Sequence, residues 1–128
     1  QLGDVLVDDV AVPISQLSEM LRRIELLAAR SGALIATVAH AGDGNLHPLV
    51  VFDRRDPAQE AVALTAFQTL MEQALELGGT ITGEHGVGTL KRDFLPRQLG
   101  AASMALHRRL KLAFDPLGLL NPGKLLAP

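Results

Sequence analysis

Two apolar runs, Ala33 to Ala39 and Leu46 to Phe52, are separated by little more than Ala41-Gly42-Asp43-Gly44-Asn45, and no other feature constrains the fold as much. Runs rich in β-branched residues around a turn of that composition make antiparallel neighbours. The hairpin carries His40 at the end of its first strand and His47 at the start of its second. The expected register sets His40 opposite His47, with Cβ atoms about 4.5–5.5 Å apart, so that both imidazoles can converge on one ion. The first run is apolar on both parities, which predicts a central strand. Pro48 is tolerable in the second only where its missing N–H costs no ladder bond.

The remaining elements follow in order. Val5 to Val12 reads as a strand, rich in valine but broken by Asp4, Asp8 and Asp9 and closed by Pro13. Ser15 then caps a helix to about Arg30, with Leu17, Met20, Leu21, Ile24, Leu27 and Ala28 on one face. Asp56, Pro57 and Gln59 open a second helix, which runs to Leu77 and stops at Gly78-Gly79. Its inward stripe is Leu64, Phe67, Leu70, Met71 and Ala74. Thr80 to Gly83 reads as a short fourth strand ending at Glu84. Short helical turns around Pro96 precede a third helix from Ala101 to Phe114, with Leu106, Leu110 and Ala113 inward, and two turns close the chain. The order predicts an α+β fold, an antiparallel sheet with helices on one face in the split βαβ, ferredoxin-like arrangement, as a single domain over residues 1–128.

Composition narrows the chemistry. A chain of 128 residues buries roughly two thirds of its unfolded surface. With no cysteine, any metal must be held by nitrogen and oxygen. A net charge of −2, four Phe and no Tyr or Trp argue against a nucleic-acid partner. No run of 18 apolar residues and no basic-then-apolar leader is present, so a soluble, cytoplasmic protein is expected, membrane-associated only through partners. The start at Gln1, close to a strand, suggests a domain cut from something longer, with an apolar patch exposed where the missing part docks and self-association through it.

Gly83-Glu84-His85-Gly86-Val87-Gly88 is the hairpin's counterpart. Its glycine spacing reverses that of the dinucleotide fingerprint. Histidines across a turn are often structural, but with Glu84 the set becomes two imidazoles and a carboxylate. That suits zinc, manganese or ferrous iron with positions left open for substrate. Strand alternation aims His85 away from Glu84, making it a base rather than a fourth ligand. Asp43 and Asn45 suit turn stabilisation, His107 a solvated helix face, and Lys91 and Lys124 the surface.

Four segments together, DDVAVP from Asp8, HAGDGNLHP from His40, TGEHGVGTLK from Thr82 and DPLGLLNPGK from Asp115, resemble the C-terminal region of FAD-linked 2-hydroxy-acid oxidases and dehydrogenases. The likeness is greatest to the glycolate oxidase flavoprotein subunit, with D-lactate and D-2-hydroxyglutarate dehydrogenases as relatives. It implies that His40, His47 and Glu84 bind a divalent metal, that His85 acts on the substrate, and that Asn121 lies near the flavin. It also implies FAD held mostly by an N-terminal domain of the same protein, a small 2-hydroxy-acid substrate of glycolate or D-lactate type, and an iron–sulfur partner subunit. Leu49 stands where the hydroxyglutarate branch has a polar substrate contact, which points away from a long dicarboxylate. The alternative is a stand-alone metal-binding or ligand-sensing domain without redox activity.

Overall fold

A computed structural model describes residues 3–126, and the chain divides into two compact units, one ending at His85 and one beginning at Gly86. The first unit contains strands β1 (Asp4–Val7), β2 (Val10–Ala11), β3 (Leu34–His40) and β4 (Asn45–Phe52), and helices α1 (Leu17–Ser31) and α2 (Pro57–Glu76). All strand pairs are antiparallel and all are made with β4, which is therefore the centre of the sheet.

Among the described residues β3, expected to be central, pairs only with β4, and Leu34 and Val38 stand exposed on it. Apolar residues on both parities thus mark a strand with one face on the core and one left open. The hairpin register also differs from expectation: His40 faces Asn45, and His47 faces Val38. The turn is the reason. The Asp43 N–H reaches the His40 carbonyl at 3.2 Å, and the Asp43 carboxylate accepts from the Asn45 N–H at 3.1 Å, so four residues close the loop instead of six. Gly44, at φ +79°, brings this turn against the Val12 carbonyl, where a Cβ would lie 2.1 Å from the oxygen.

β1 and β2 share one register along β4, with Val7 opposite Leu49 and Val10 opposite Leu46, so Asp9 falls opposite His47. The ladder lapses between them at Asp8 and Asp9. Pro48 accounts for this. Its carbonyl accepts the Asp8 N–H at 2.9 Å, but it has no N–H to return, so only half of that bonded pair can form.

Alternation along β4 buries Leu46, Val50 and Phe52 on the face covered by α1 and α2, which contribute Met20, Ile24, Phe67, Leu70 and Met71. Each of these side chains is worth about 1.5–3 kcal/mol in burial. In α2 the buried stripe includes Ala63 and Ala66, whereas Leu64, expected inward, is exposed. Asp56 caps α2 as expected, accepting from the Ala58 and Gln59 amides. Ser15 caps nothing, because a 3-10 turn at Ile14–Gln16 precedes α1. The expected fourth strand is reduced to one bridge between Thr80 and Ala11. The opposite face of the sheet exposes Val5, Val7, Leu34 and Val38, an apolar patch of the expected kind.

The second unit holds a 3-10 turn at Arg92–Phe94 and helix α3 (Leu95–Phe114), interrupted at Gly100, whose φ of 73° and ψ of 171° are not helical. Leu95 and Met104 are buried, while Leu106, Leu110 and Ala113 are exposed rather than inward. Lys91, expected at the surface, is buried. The Asp115 carboxylate accepts from Lys111 Nζ and from the Leu119 and Leu120 amides, and the Lys111 hydrogen bond holds its carboxyl below the usual range. Among the described residues no helix is long and apolar enough to cross a membrane.

Candidate functional site

The site lies on the open face of the sheet. His47 faces Val38 across the hairpin and His40 is two residues beyond Val38, so both imidazoles project from the same face. Their ring centroids are 5.3 Å apart and the rings are perpendicular. The separation that the expected register gave by direct opposition is reached instead along a diagonal.

Glu84 arrives from beyond α2. Its Oε1 lies 3.3 Å from His40 Nε2 and 3.4 Å from His47 Nε2, and one donor atom from each residue falls within 4.8 Å of the others. His40 and Glu84 are half exposed, whereas the His47 side chain is 10% exposed. His85 does not point away, because residues 82–85 form no strand and the alternation argument has nothing to act on. Its ring stacks on His47 with centroids 4.8 Å apart and planes 17° from parallel, and its Nε2 is 3.8 Å from Glu84 Oε1.

The backbone of Glu84 and His85 is bonded to Asp9, which in the sequence stands out as a strand breaker and as part of the DDVAVP segment. Its carboxylate is fully buried. Oδ2 accepts from Thr82 Oγ1 at 2.8 Å and from the amides of Gly83, Glu84 and His85 at 2.9, 3.0 and 2.8 Å. Oδ1 stands 3.7 Å from His47 Nδ1, a buried atom with no hydrogen-bond partner among the described residues. Asp9 could have been suspected: a carboxylate inside a valine-rich strand must find donors, since burying it unpaired is prohibitive.

Gly83 admits the segment to this place. A Cβ there would come within 2.6 Å of the Asn45 side chain, which is itself buried. Asp43 acts as a turn residue, as expected. His107 joins none of this; its Nδ1 lies 2.8 Å from the Ser103 carbonyl one turn back on α3. Asn121 belongs to the second unit, exposed in a left-handed turn at φ 47°, and its carbonyl accepts from the Lys124 amide at 3.2 Å.

Residues 2–125 match the family model described as FAD linked oxidases, C-terminal domain. The chain therefore belongs to the C-terminal domain family of FAD-linked oxidases. It is 43% identical over 122 residues to the glycolate oxidase subunit GlcD of Bacillus subtilis, covering 95% of this chain and 26% of that protein. It is 38% identical over 125 residues to the mitochondrial D-lactate dehydrogenase [cytochrome] of Arabidopsis thaliana, covering 98% of this chain and 22% of that one. The chain thus spans about a quarter of the length of these relatives. A solved structure of 4-ethylphenol oxidase from Gulosibacter chungangensis shares the fold, with a TM-score of 0.65 at 18% identity over 94% of this chain and 24% of that one.

Proposed function

We propose that this chain is the C-terminal, metal-site domain of an FAD-dependent oxidoreductase that converts a small 2-hydroxy acid, of glycolate or D-lactate type, to the 2-oxo acid. It would work as one domain beside an FAD-binding domain of the same protein. The observation that carries the reading is the single Glu84 oxygen at 3.3 and 3.4 Å from two imidazole nitrogens brought by a different part of the chain. Bonds of about 2.1 Å at tetrahedral to octahedral angles separate ligand atoms by roughly 3–3.4 Å, so the distances from Glu84 to each imidazole are those of ligands that share one divalent ion. The same distances suit N–H···O contacts in the metal-free chain, which is why a metal titration is the test. Three ligands with an exposed side leave coordination positions for substrate.

Such an ion, zinc, manganese or iron, would supply Lewis acidity at the substrate hydroxyl and carboxylate, while FAD would accept the hydride. The chain's own part is orientation and proton transfer. His40, His47 and Glu84 fix where the hydroxyl sits. His85 accepts its proton; the ring is half exposed, is held by stacking on His47, and lies beside Glu84. Leu49 is apolar and shares the open face with His47, consistent with a short substrate. We assign Asn121, an exposed amide on a left-handed turn, to the flavin.

Calorimetric titration with zinc or manganese is expected to give one ion per chain, with Glu84→Gln binding far more weakly at unchanged circular dichroism. In the full-length protein His85→Ala keeps the metal and loses turnover of glycolate and D-lactate. Equal affinity in wild type and Glu84→Gln would sink the metal site. Metal binding without turnover of any 2-hydroxy acid would favour a stand-alone metal-binding domain.

A further inference from the structure

Asp9, His47 and His85 form a second group whose donor atoms lie within 4.8 Å of one another. It does not make a second cation site. The Asp9 carboxylate already accepts at Oδ2 from the Thr82 hydroxyl and from three consecutive amides, which is the environment of a bound anion. The group has a different use.

We propose that Asp9 is the positioning residue of the site: its carboxylate holds residues 82–85, and so Glu84 and His85, against the two hairpin histidines, and accepts a hydrogen bond from the Nδ1–H of His47 when Nε2 engages a metal. The first half rests on the four hydrogen bonds above. Charge-assisted bonds to a fully buried carboxylate are the strong kind, and here they terminate on the backbone of the two residues that must be placed. Gly83, Glu84 and His85 are exposed and lie outside any helix or strand, so no helix or ladder bond holds their backbone. The second half rests on register. Asp9 stands opposite His47 on β4, its Oδ1 3.7 Å from an Nδ1 that has no hydrogen-bond partner among the described residues, while Nε2 faces Glu84. A metal on Nε2 leaves the proton on Nδ1, and a carboxylate there fixes ring orientation and raises the imidazole's donor strength. Asp9 reaches the metal only through His47 and the loop, so it positions and does not ligate.

This inference rests on the metal reading above, and its test separates the two. In Asp9→Asn an uncharged amide oxygen in the place of Oδ2 accepts the same donors more weakly, and an NH2 group replaces the oxygen that faces His47 Nδ1. Amide hydrogen exchange at Gly83, Glu84 and His85 is expected to accelerate roughly tenfold or more, the loss of at least one such bond, with α1 and α2 amides unchanged. Zinc affinity is expected to fall about 10- to 100-fold. In the zinc-loaded wild type, nitrogen-15 NMR should show a slowly exchanging His47 Nδ1 proton that the variant loses, a signature that general loosening of the fold does not produce. Unchanged exchange at residues 83–85, or zinc affinity within twofold of wild type, overturns the proposal. A wild type that binds no zinc while Asp9→Asn frees the three amides overturns the metal reading and leaves the anchoring intact. Should the variant fail to fold, the wild type alone decides: exposed amides at 83–85 that exchange at random-coil rates overturn the proposal, and protected ones support it.

Discussion

On one flank of β4 the ladder is continuous, with β3 paired at seven successive positions from Leu34–Val51 to His40–Asn45. On the other it gives way at Asp8 and Asp9 between β1 and β2, in a register that otherwise carries straight through. The intact flank delivers His40 by regular alternation alone. The broken flank delivers Asp9, whose carboxylate is free of ladder geometry and collects the segment bearing Glu84 and His85. Magnitudes favour the break. One or two ladder bonds forgone cost about 0.5–1.5 kcal/mol each, whereas hydrogen bonds to a charged group are worth about 1.5–3 kcal/mol each, and Asp9 Oδ2 accepts four. Regular pairing places one candidate residue, and its local failure places two more.

The largest effect on this comparison removes what both flanks share. Leu46 is fully buried under the sheet, and Leu46→Ala is expected to cost about 2–5 kcal/mol in urea denaturation, loosening β2 and β3 alike in hydrogen exchange. A loss confined to one flank would show that β4 is not the common support. His40→Ala separates the flanks. It is expected to lower zinc affinity on the order of 100-fold while leaving amide protection at residues 83–85 untouched, the reverse of a defect at Asp9. Zinc affinity of the wild type should also fall in acid, because a protonated imidazole has no lone pair to give.

Pro48→Ala asks whether the proline sets the break. It returns an N–H that can reach the Asp8 carbonyl, so stability should change by less than about 1.5 kcal/mol and the new amide should show protection. A proton there that exchanges freely would mean that the aspartates alone interrupt the ladder. The smallest effect is acid sensitivity away from the site. Hydrogen bonds from Arg22 and Arg23 hold the Glu19 carboxyl at about 2, and a hydrogen bond from Arg55 holds that of Asp53 at about 2. Both are depressed, so their stabilisation is complete above the ordinary carboxylate range and is lost as pH falls from there through about 2. The pairs are exposed, so the loss should be slight and diminish with salt, and Glu19→Gln should remove part of it in a pH series of melting temperatures.

Much of this was legible in the residues. The hairpin, the Asp56 cap with Pro57, and the stop of α2 before Gly78 follow from local rules that act within a few residues. The three-residue donor set was readable because histidine, glycine and glutamate recur in two compact segments. The helix stripes were half readable: periodicity marks an apolar face, but Leu64 and Leu110 are exposed while Ala63 and Ala66 are buried, since which part of that face is covered depends on the neighbour.

By itself, then, the sequence determined the element types, the antiparallel hairpin and the candidates His40, His47, Glu84 and His85, because each is fixed by turn chemistry or side-chain type over short range. Only the tertiary structure decided that β4 is central and β3 an edge, that His40 and His47 meet on a diagonal, and that Asp9 receives the amides of residues 83–85. Those facts depend on the register of the hairpin, on pairings between distant segments, Asp4 with Phe52 and Asp9 with His85 among them, and on which faces are left open, none of which local propensity encodes.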